Sequence, residues 1–117
     1  MKRLLLSVAG FAALVGAAAA FAAPSIMATA RLVRVTSPVS PGEHATLIAG
    51  VAPARRCRIT VYYKSGPSVA QGLGAKRPRH GRVSWTWMVG TNTTAGRWLI
   101  QVSCGSAGSF RAHFRVS

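Results

Sequence analysis

Six short runs of β-prone residues, separated by turn-forming residues, constrain the fold of this chain more than any other feature. The runs cover residues 32–36, 45–51, 57–64, 83–89, 98–104 and 110–116. The segments between them are rich in Pro, Gly, Ser, Asn and Thr, which favour turns. The longest gap leaves room for one more short strand at residues 69–73. The pattern predicts an all-β sandwich of six or seven antiparallel strands and no helix in this part of the chain.

The two cysteines lie in phase with apolar residues of two different runs. Cys57 alternates in phase with Ile59, and Cys104 alternates in phase with Val102, so both cysteines face the core. In an exported chain two cysteines pair by default, and a free buried pair is the alternative. We therefore expect a disulfide between Cys57 and Cys104 that crosses the core between the two sheets.

The first 22 residues have the pattern of a secretory signal peptide. Lys2 and Arg3 form a positive start, residues 4–15 are apolar, and Ala20-Phe21-Ala22 is an A-x-A cleavage site. An uncleaved membrane anchor is the alternative, because about 20 apolar residues can span a bilayer. Cleavage predicts a secreted, extracellular or cell-envelope protein with no membrane span.

Cleavage at this site divides the chain into three parts. Residues 1–22 are the signal peptide, residues 23–30 are a short linker of small, polar and Pro residues, and residues 31–117 are the β-sandwich domain. A chain of 117 residues has room for one such domain.

Positive charge dominates the composition. The sequence has 15 Lys and Arg against one acid, Glu43, and a formal net charge of +14 at pH 7. Such a chain attracts polyanions. In the last run Arg111, His113 and Arg115 alternate with apolar residues, which predicts a cationic row on the outer face of that strand. The predicted polyanion-binding residues are these two arginines and the basic loop of Lys76, Arg77, Arg79 and Arg82.

A simpler interpretation is that these charged side chains are solvated by water and bind no ligand. Cations on an edge strand protect it from aggregation without binding a ligand. A second basic cluster, Arg55, Arg56 and Arg58, admits both interpretations.

Five stretches of the sequence resemble a known family. They are CRITVYYKSGPSVA at residues 57–70, GL at 72–73, GRVSWTWMVG at 81–90, TAGRW at 94–98 and VSC at 102–104. Together they are similar to the Ig-like or fibronectin type III-like domains of secreted and cell-surface proteins of actinobacteria and related bacteria. The resemblance covers residues 36–116. It implies a disulfide-linked sandwich used as an adhesion, spacer or accessory module, and it brings no catalytic residues with it.

The aromatic residues divide into core and surface candidates. Trp85 and Trp87 share one face, where they either fill the core or stack on sugars or bases. The resemblance places tryptophan inside such sandwiches, so we assign both to the core. Tyr62 is out of phase with the core residues of its run and is the candidate for aromatic contact with a ligand.

The residue inventory argues against an enzyme. Paired-carboxylate catalysis needs two acids, whereas the chain has only Glu43, and no nucleophile motif accompanies Glu43 and His44. The histidines are scattered, without the ligand spacing of a zinc site. We expect no catalytic residue, no metal and no cofactor.

Two classes of function remain. The first is a structural or binding module at the cell envelope, whose partner is an anionic envelope polymer or an extracellular protein. The second is a soluble cationic effector that acts on nucleic acid, acidic polysaccharide or lipid surfaces. Binding of nucleic acid would be non-specific, because charge attraction does not distinguish base sequences.

Overall fold

The computed structural model of the protein describes residues 27–117. In this part of the chain it has seven strands: β1 (Thr29–Val35), β2 (His44–Ala52), β3 (Arg58–Tyr63), β4 (Gly66–Pro67), β5 (Arg82–Met88), β6 (Gly96–Ser103) and β7 (Ser109–Val116). A single 3₁₀ turn lies at Gly105–Ala107, between β6 and β7. No helix of this part is long and apolar enough to cross a membrane. The predicted signal peptide and its cleavage site lie outside the described residues.

The strands form a sandwich of two antiparallel sheets. The three-stranded sheet has the order β1-β2-β5, and the four-stranded sheet has the order β4-β3-β6-β7. One sheet therefore contains β1, β2 and β5, and the other contains β3, β4, β6 and β7. This is the division of strands found in Ig-like domains. The Ig-like β-sandwich predicted from the sequence is confirmed.

The core is formed by side chains of both sheets, because buried and exposed residues alternate along the strands. On β5, Trp85 and Trp87 are buried while the residues between them face solvent. Across the sandwich, Phe114 of β7 meets the Trp87 ring edge-on at 5.8 Å between centroids. Trp85 also donates a hydrogen bond from Nε1 to the carbonyl oxygen of Gly74, at 2.8 Å. Both tryptophans belong to the core, as predicted.

The seventh strand is not where the sequence placed it. The chain reverses immediately after β3, and Tyr63 and Tyr62 pair with Gly66 and Pro67 of β4. Residues 69–73, the predicted strand, contain no strand, and Val69 is 98% exposed. This prediction is wrong because a turn of two residues leaves the pairing residues directly after β3. The β-prone residues further along run beside β5 instead.

The segment that follows β4 lies against the free edge of β5. It is held there by the Trp85–Gly74 bond and by Lys76, whose Nζ donates to the carbonyl oxygen of Ser84 at 2.8 Å. Gly72 has φ +93°, and a Cβ on it would lie 2.1 Å from the carbonyl oxygen of Thr86. Only glycine permits this close approach.

The first strand begins at Thr29, so residues 29 and 30 are part of the sandwich. The sequence had assigned both to the linker. Their pairing with Ala52 and Val51 of β2 extends the ladder beyond the apolar run that was visible in the sequence.

The disulfide between Cys57 and Cys104 is present, and both cysteines are fully buried. Its predicted course across the core is wrong, because it joins two neighbouring strands of the same sheet. Arg58 of β3 pairs with Ser103 of β6. Cys57, just before β3, therefore lies opposite Cys104, just after β6, with their Cα atoms 4.0 Å apart. Alternation shows which face a cysteine occupies but does not show which strands are neighbours.

Candidate functional site

The last strand carries a row of cations on the outer face of the four-stranded sheet. Arg111, His113 and Arg115 are exposed, and Ala112 and Phe114 between them are buried. This is the row that the alternation of the sequence predicted. The row faces solvent from above, and residues 37–39 run along the edge of β7 at its Arg115 end.

Strand register adds two arginines that are not among the six predicted binding residues. On β6, Arg97 lies directly opposite Arg115. On β3, Arg58 is exposed and lies opposite Ser103, on the same outer face. We call this surface the cationic face, and it consists of Arg58, Arg97, Arg111, His113 and Arg115.

The spacing of the cationic face follows from β geometry. Residues two apart along a strand are about 7 Å apart, and neighbouring strands are about 4.8 Å apart. The centre of the face is polar and aromatic. Gln101 of β6 lies between Thr60 and Arg111, and Leu99 of β6 lies between Tyr62 and His113. Tyr62, the predicted aromatic contact, is half-buried and lies on the same outer face of the sheet as these five residues.

No acidic side chain is available to neutralise the cationic face. Glu43 is the only Asp or Glu of the sequence. Its Oε1 accepts a hydrogen bond from the backbone N–H of Ser40, at 3.1 Å, within its own turn. The charge of the face is therefore left to solvent ions or to a ligand.

The basic loop runs from the three-stranded sheet to the end of the sandwich where Lys76 pairs with Cys57, the residue next to Arg58. Arg82 pairs with Gly50 in the three-stranded sheet, and Lys76 forms two backbone hydrogen bonds with Cys57 at one end of the sandwich. Within the loop, Arg79 and Arg82 close a tight turn through two backbone hydrogen bonds, of 2.8 and 3.0 Å. The six predicted cations thus lie in two places. Arg111 and Arg115 are on the face, and Lys76, Arg77, Arg79 and Arg82 are on the loop.

In the second basic cluster, Arg56 and Arg58 line one surface cleft together, and Arg55 is held elsewhere. Arg58 belongs to the cationic face, whereas Arg55 donates from Nε to Ser106 Oγ at 2.9 Å and from a terminal nitrogen to its neighbour's carbonyl oxygen. Arg55 therefore ties the loop after β2 to the 3₁₀ turn. The pairing of β3 with β6, which places Arg58 beside the β7 cations, is a long-range feature that no local pattern shows.

The histidines do not form a metal centre within the described chain. His44 is on β2, His80 is in the turn of the basic loop and His113 is on β7. Among residues 27–117, no three His, Cys, Asp or Glu side chains lie together in a group that could hold a metal ion.

A separate cleft of about 650 Å³ lies at the end of the sandwich away from the disulfide. It is lined by Tyr63, Lys64, Ser65 and residues 90–94. The Tyr63 hydroxyl accepts a hydrogen bond from Trp87 Nε1 at 3.1 Å. Burial raises the pKa of the Tyr63 phenol, and the Trp87 bond partly offsets this effect. The phenol therefore keeps its proton under conditions in which a free tyrosine would begin to lose it.

The raised pKa predicts a loss of stability at alkaline pH. Above the ordinary tyrosine pKa of 10.0, the unfolded chain releases the phenol proton before the folded chain does, so the unfolded state gains stability. We expect the free energy of unfolding to fall more between about pH 9 and pH 11 in the parent than in Tyr63→Phe. Urea unfolding at the two pH values measures the difference. An equal fall in the free energy of unfolding of both proteins would show that folding does not raise the pKa of Tyr63.

Comparison with known proteins gives similarity to solved structures only. No protein-family model matches the chain, and no curated protein matches it. A crystal structure of the titin domains Z1Z2 in complex with telethonin is 15% identical over 79% of this chain and 48% of that chain, with a TM-score of 0.48. A conjugative transposon lipoprotein from Bacteroides eggerthii is 10% identical over 76% of this chain and 95% of that chain, with a TM-score of 0.45. A chimeric titin Z1Z2 tandem is 18% identical over 90% and 54%, with a TM-score of 0.38. The chain spans about half the length of these titin structures.

Proposed function

We propose that this protein is a non-enzymatic, extracellular or cell-envelope binding module that holds anionic polymers on its cationic face. The observation that carries the proposal is the gathering of Arg58, Arg97, Arg111 and Arg115 on one sheet face. They come from three strands that are neighbours in space. Against these four arginines the sequence supplies one acid, Glu43.

The attraction is expected to be electrostatic and largely indifferent to polymer sequence. Each guanidinium that neutralises a phosphate or sulfate releases condensed counterions, which provides affinity and makes it depend on salt. Guanidinium groups also bind such oxyanions through two parallel hydrogen bonds. Tyr62 lies opposite Leu99 on the same outer face, and we expect its half-buried ring to stack on a base or a sugar of the polymer.

The location of the protein is part of the proposal. A disulfide between fully buried cysteines favours an oxidising compartment, and a signal peptide at residues 1–22 would deliver the chain there. The expected polymers are therefore those of the cell envelope or the extracellular space. An extracellular protein partner would be expected to carry a complementary acidic surface.

Removal of the four arginines of the cationic face should weaken binding at least tenfold. The face variant carries Arg58→Gln, Arg97→Gln, Arg111→Gln and Arg115→Gln. All four side chains are exposed, so we expect it to fold like the parent. Binding of single-stranded DNA, heparin and a teichoic-acid-like polymer is measured by fluorescence anisotropy at one low salt concentration.

A matched control removes four other exposed arginines. The control variant carries Arg34→Gln on β1 together with Arg77→Gln, Arg79→Gln and Arg82→Gln of the basic loop. It loses the same charge as the face variant and leaves the cationic face intact, so its affinity should fall much less. Equal losses in the two variants would contradict a defined face and would favour the second class, a diffuse cationic effector. No binding by the parent at low salt would reject both.

A further inference from the structure

One place on the cationic face combines two arginines, a hydroxyl and a cavity. Arg97 and Arg115 occupy directly opposite positions on β6 and β7. Like charges directly opposite each other on a sheet destabilise it. Glu43, the one acid of the sequence, accepts a hydrogen bond within its own turn and could compensate at most one of these two charges. An external anion between the two guanidinium groups would remove the repulsion.

The chain provides a third group at this point from outside the sheet. Residues 37–39 run along the outer edge of β7, where Val39 N donates to the carbonyl oxygen of Arg115 at 2.9 Å. In the same place, Ser37 Oγ accepts a hydrogen bond from the backbone N–H of Arg115, at 3.0 Å. Because the oxygen accepts this bond, the hydroxyl proton can donate to a ligand.

These groups line a cavity of about 100 Å³. Its walls are Ser37, Arg97, His113, Phe114 and Arg115. Since a water molecule occupies about 30 Å³ of liquid, this space suits a small group of a few heavy atoms rather than a whole sugar or base. Arg97, Arg115 and Ser37 supply donors on its solvent-open walls, and the fork of a guanidinium matches a tetrahedral oxyanion.

We propose that Arg97, Arg115 and Ser37 form an anchoring site for one phosphate or sulfate group of the bound polymer. The inference rests on the proposed function and makes it specific. One tetrahedral oxyanion is held in the cavity, and the remaining cations of the face attract the neighbouring anionic groups of the chain. His113, in the next row along β7, lines the same cavity and adds a ring nitrogen to the site.

Two double variants of equal charge test the site. The first, Arg97→Gln with Arg115→Gln, removes both guanidinium groups of the cavity. The second, Arg31→Gln with Arg34→Gln, removes two exposed arginines of β1, which lies in the other sheet, and leaves every group of the cavity in place. Inorganic phosphate and inorganic sulfate are titrated into each purified protein, and the His113 ring resonances are followed by NMR at constant ionic strength.

The expected result is saturable binding of phosphate or sulfate by the parent. Affinity should fall at least tenfold in the first double variant and stay within about twofold in the second, because the second keeps every group of the cavity. The melting temperature of the parent should also rise with the bound anion relative to chloride at equal ionic strength, and this rise should be absent from the first double variant.

Separate measurements distinguish failure of this inference from failure of the proposed function. Equal loss of phosphate and sulfate binding in both double variants, or no saturable binding of either ion by a parent that still binds polymer, would overturn the anchoring site and leave polymer binding in place. A parent that binds neither polymer nor ion would overturn both. Comparison of single-stranded DNA with heparin then shows whether phosphodiester or sulfate ester is the preferred source of the anion.

Discussion

Reduction of the disulfide is expected to lower the free energy of unfolding by about 4 kcal/mol. The bond joins residues separated by 47 positions in the chain, and opening it restores the freedom of that loop in the unfolded state. A small domain has a total stability of about 5–15 kcal/mol, so the loss is a large part of the whole. Urea unfolding of the oxidised and the reduced protein in the same buffer gives the difference.

The reduced parent is a better test than substitution alone. Cys57 and Cys104 are fully buried, so a double Ala variant would lose the cross-link and would also leave a cavity. Reduction breaks the S–S bond by adding one electron and one proton to each sulfur, and both sulfur atoms remain in the chain to fill the core. We expect the Ala variant to be less stable than the reduced parent. An oxidised and a reduced protein that unfold at the same urea concentration would contradict the stabilising role of the bond.

Replacement of Trp85 with Ala should cost about 3–5 kcal/mol of stability. The ring is fully buried between the sheets, so its loss leaves a cavity that the strands cannot fill. The same change removes the donor to the carbonyl oxygen of Gly74, which holds the segment beside β5. Urea unfolding measures the free energy, and amide hydrogen exchange should report faster opening around Lys76.

Trp98 provides the matched control for Trp85. It is another tryptophan whose Nε1 donates to a backbone carbonyl oxygen, that of Thr94 at 2.9 Å, but its ring is only partly buried. Trp98→Ala should therefore cost less than half as much as Trp85→Ala. Equal losses would show that the core between the sheets is not the main source of stability.

Local patterns were sufficient to predict the fold class and the faces of the strands. Alternation placed Trp85 and Trp87 in the core and Arg111 and Arg115 outside it, because side-chain direction in a strand depends only on position within the run. The pairing of the cysteines also followed from composition and expected compartment. These inferences needed no knowledge of which strands are neighbours.

The features that depend on which strands are neighbours were not predicted. The course of the disulfide depends on β3 and β6 lying side by side, and the position of Arg97 opposite Arg115 depends on the register of β6 with β7. Register is set by turns and long-range pairing rather than by the composition of one strand. The six predicted cations come from two segments of the chain, and the placement of these segments also depends on strand pairing, because Arg82 pairs into the other sheet.

The salt dependence of polymer binding tests the central claim most directly. The logarithm of the affinity for single-stranded DNA should fall linearly with the logarithm of the salt concentration, with a slope of about 0.7 for each cation that contacts a phosphate. Removal of the four arginines of the cationic face should reduce that slope by nearly 3, and removal of four arginines in the control variant should leave it almost unchanged. Equal slopes in the parent and the face variant would contradict the account, because the cationic face would then make no contact with the polymer.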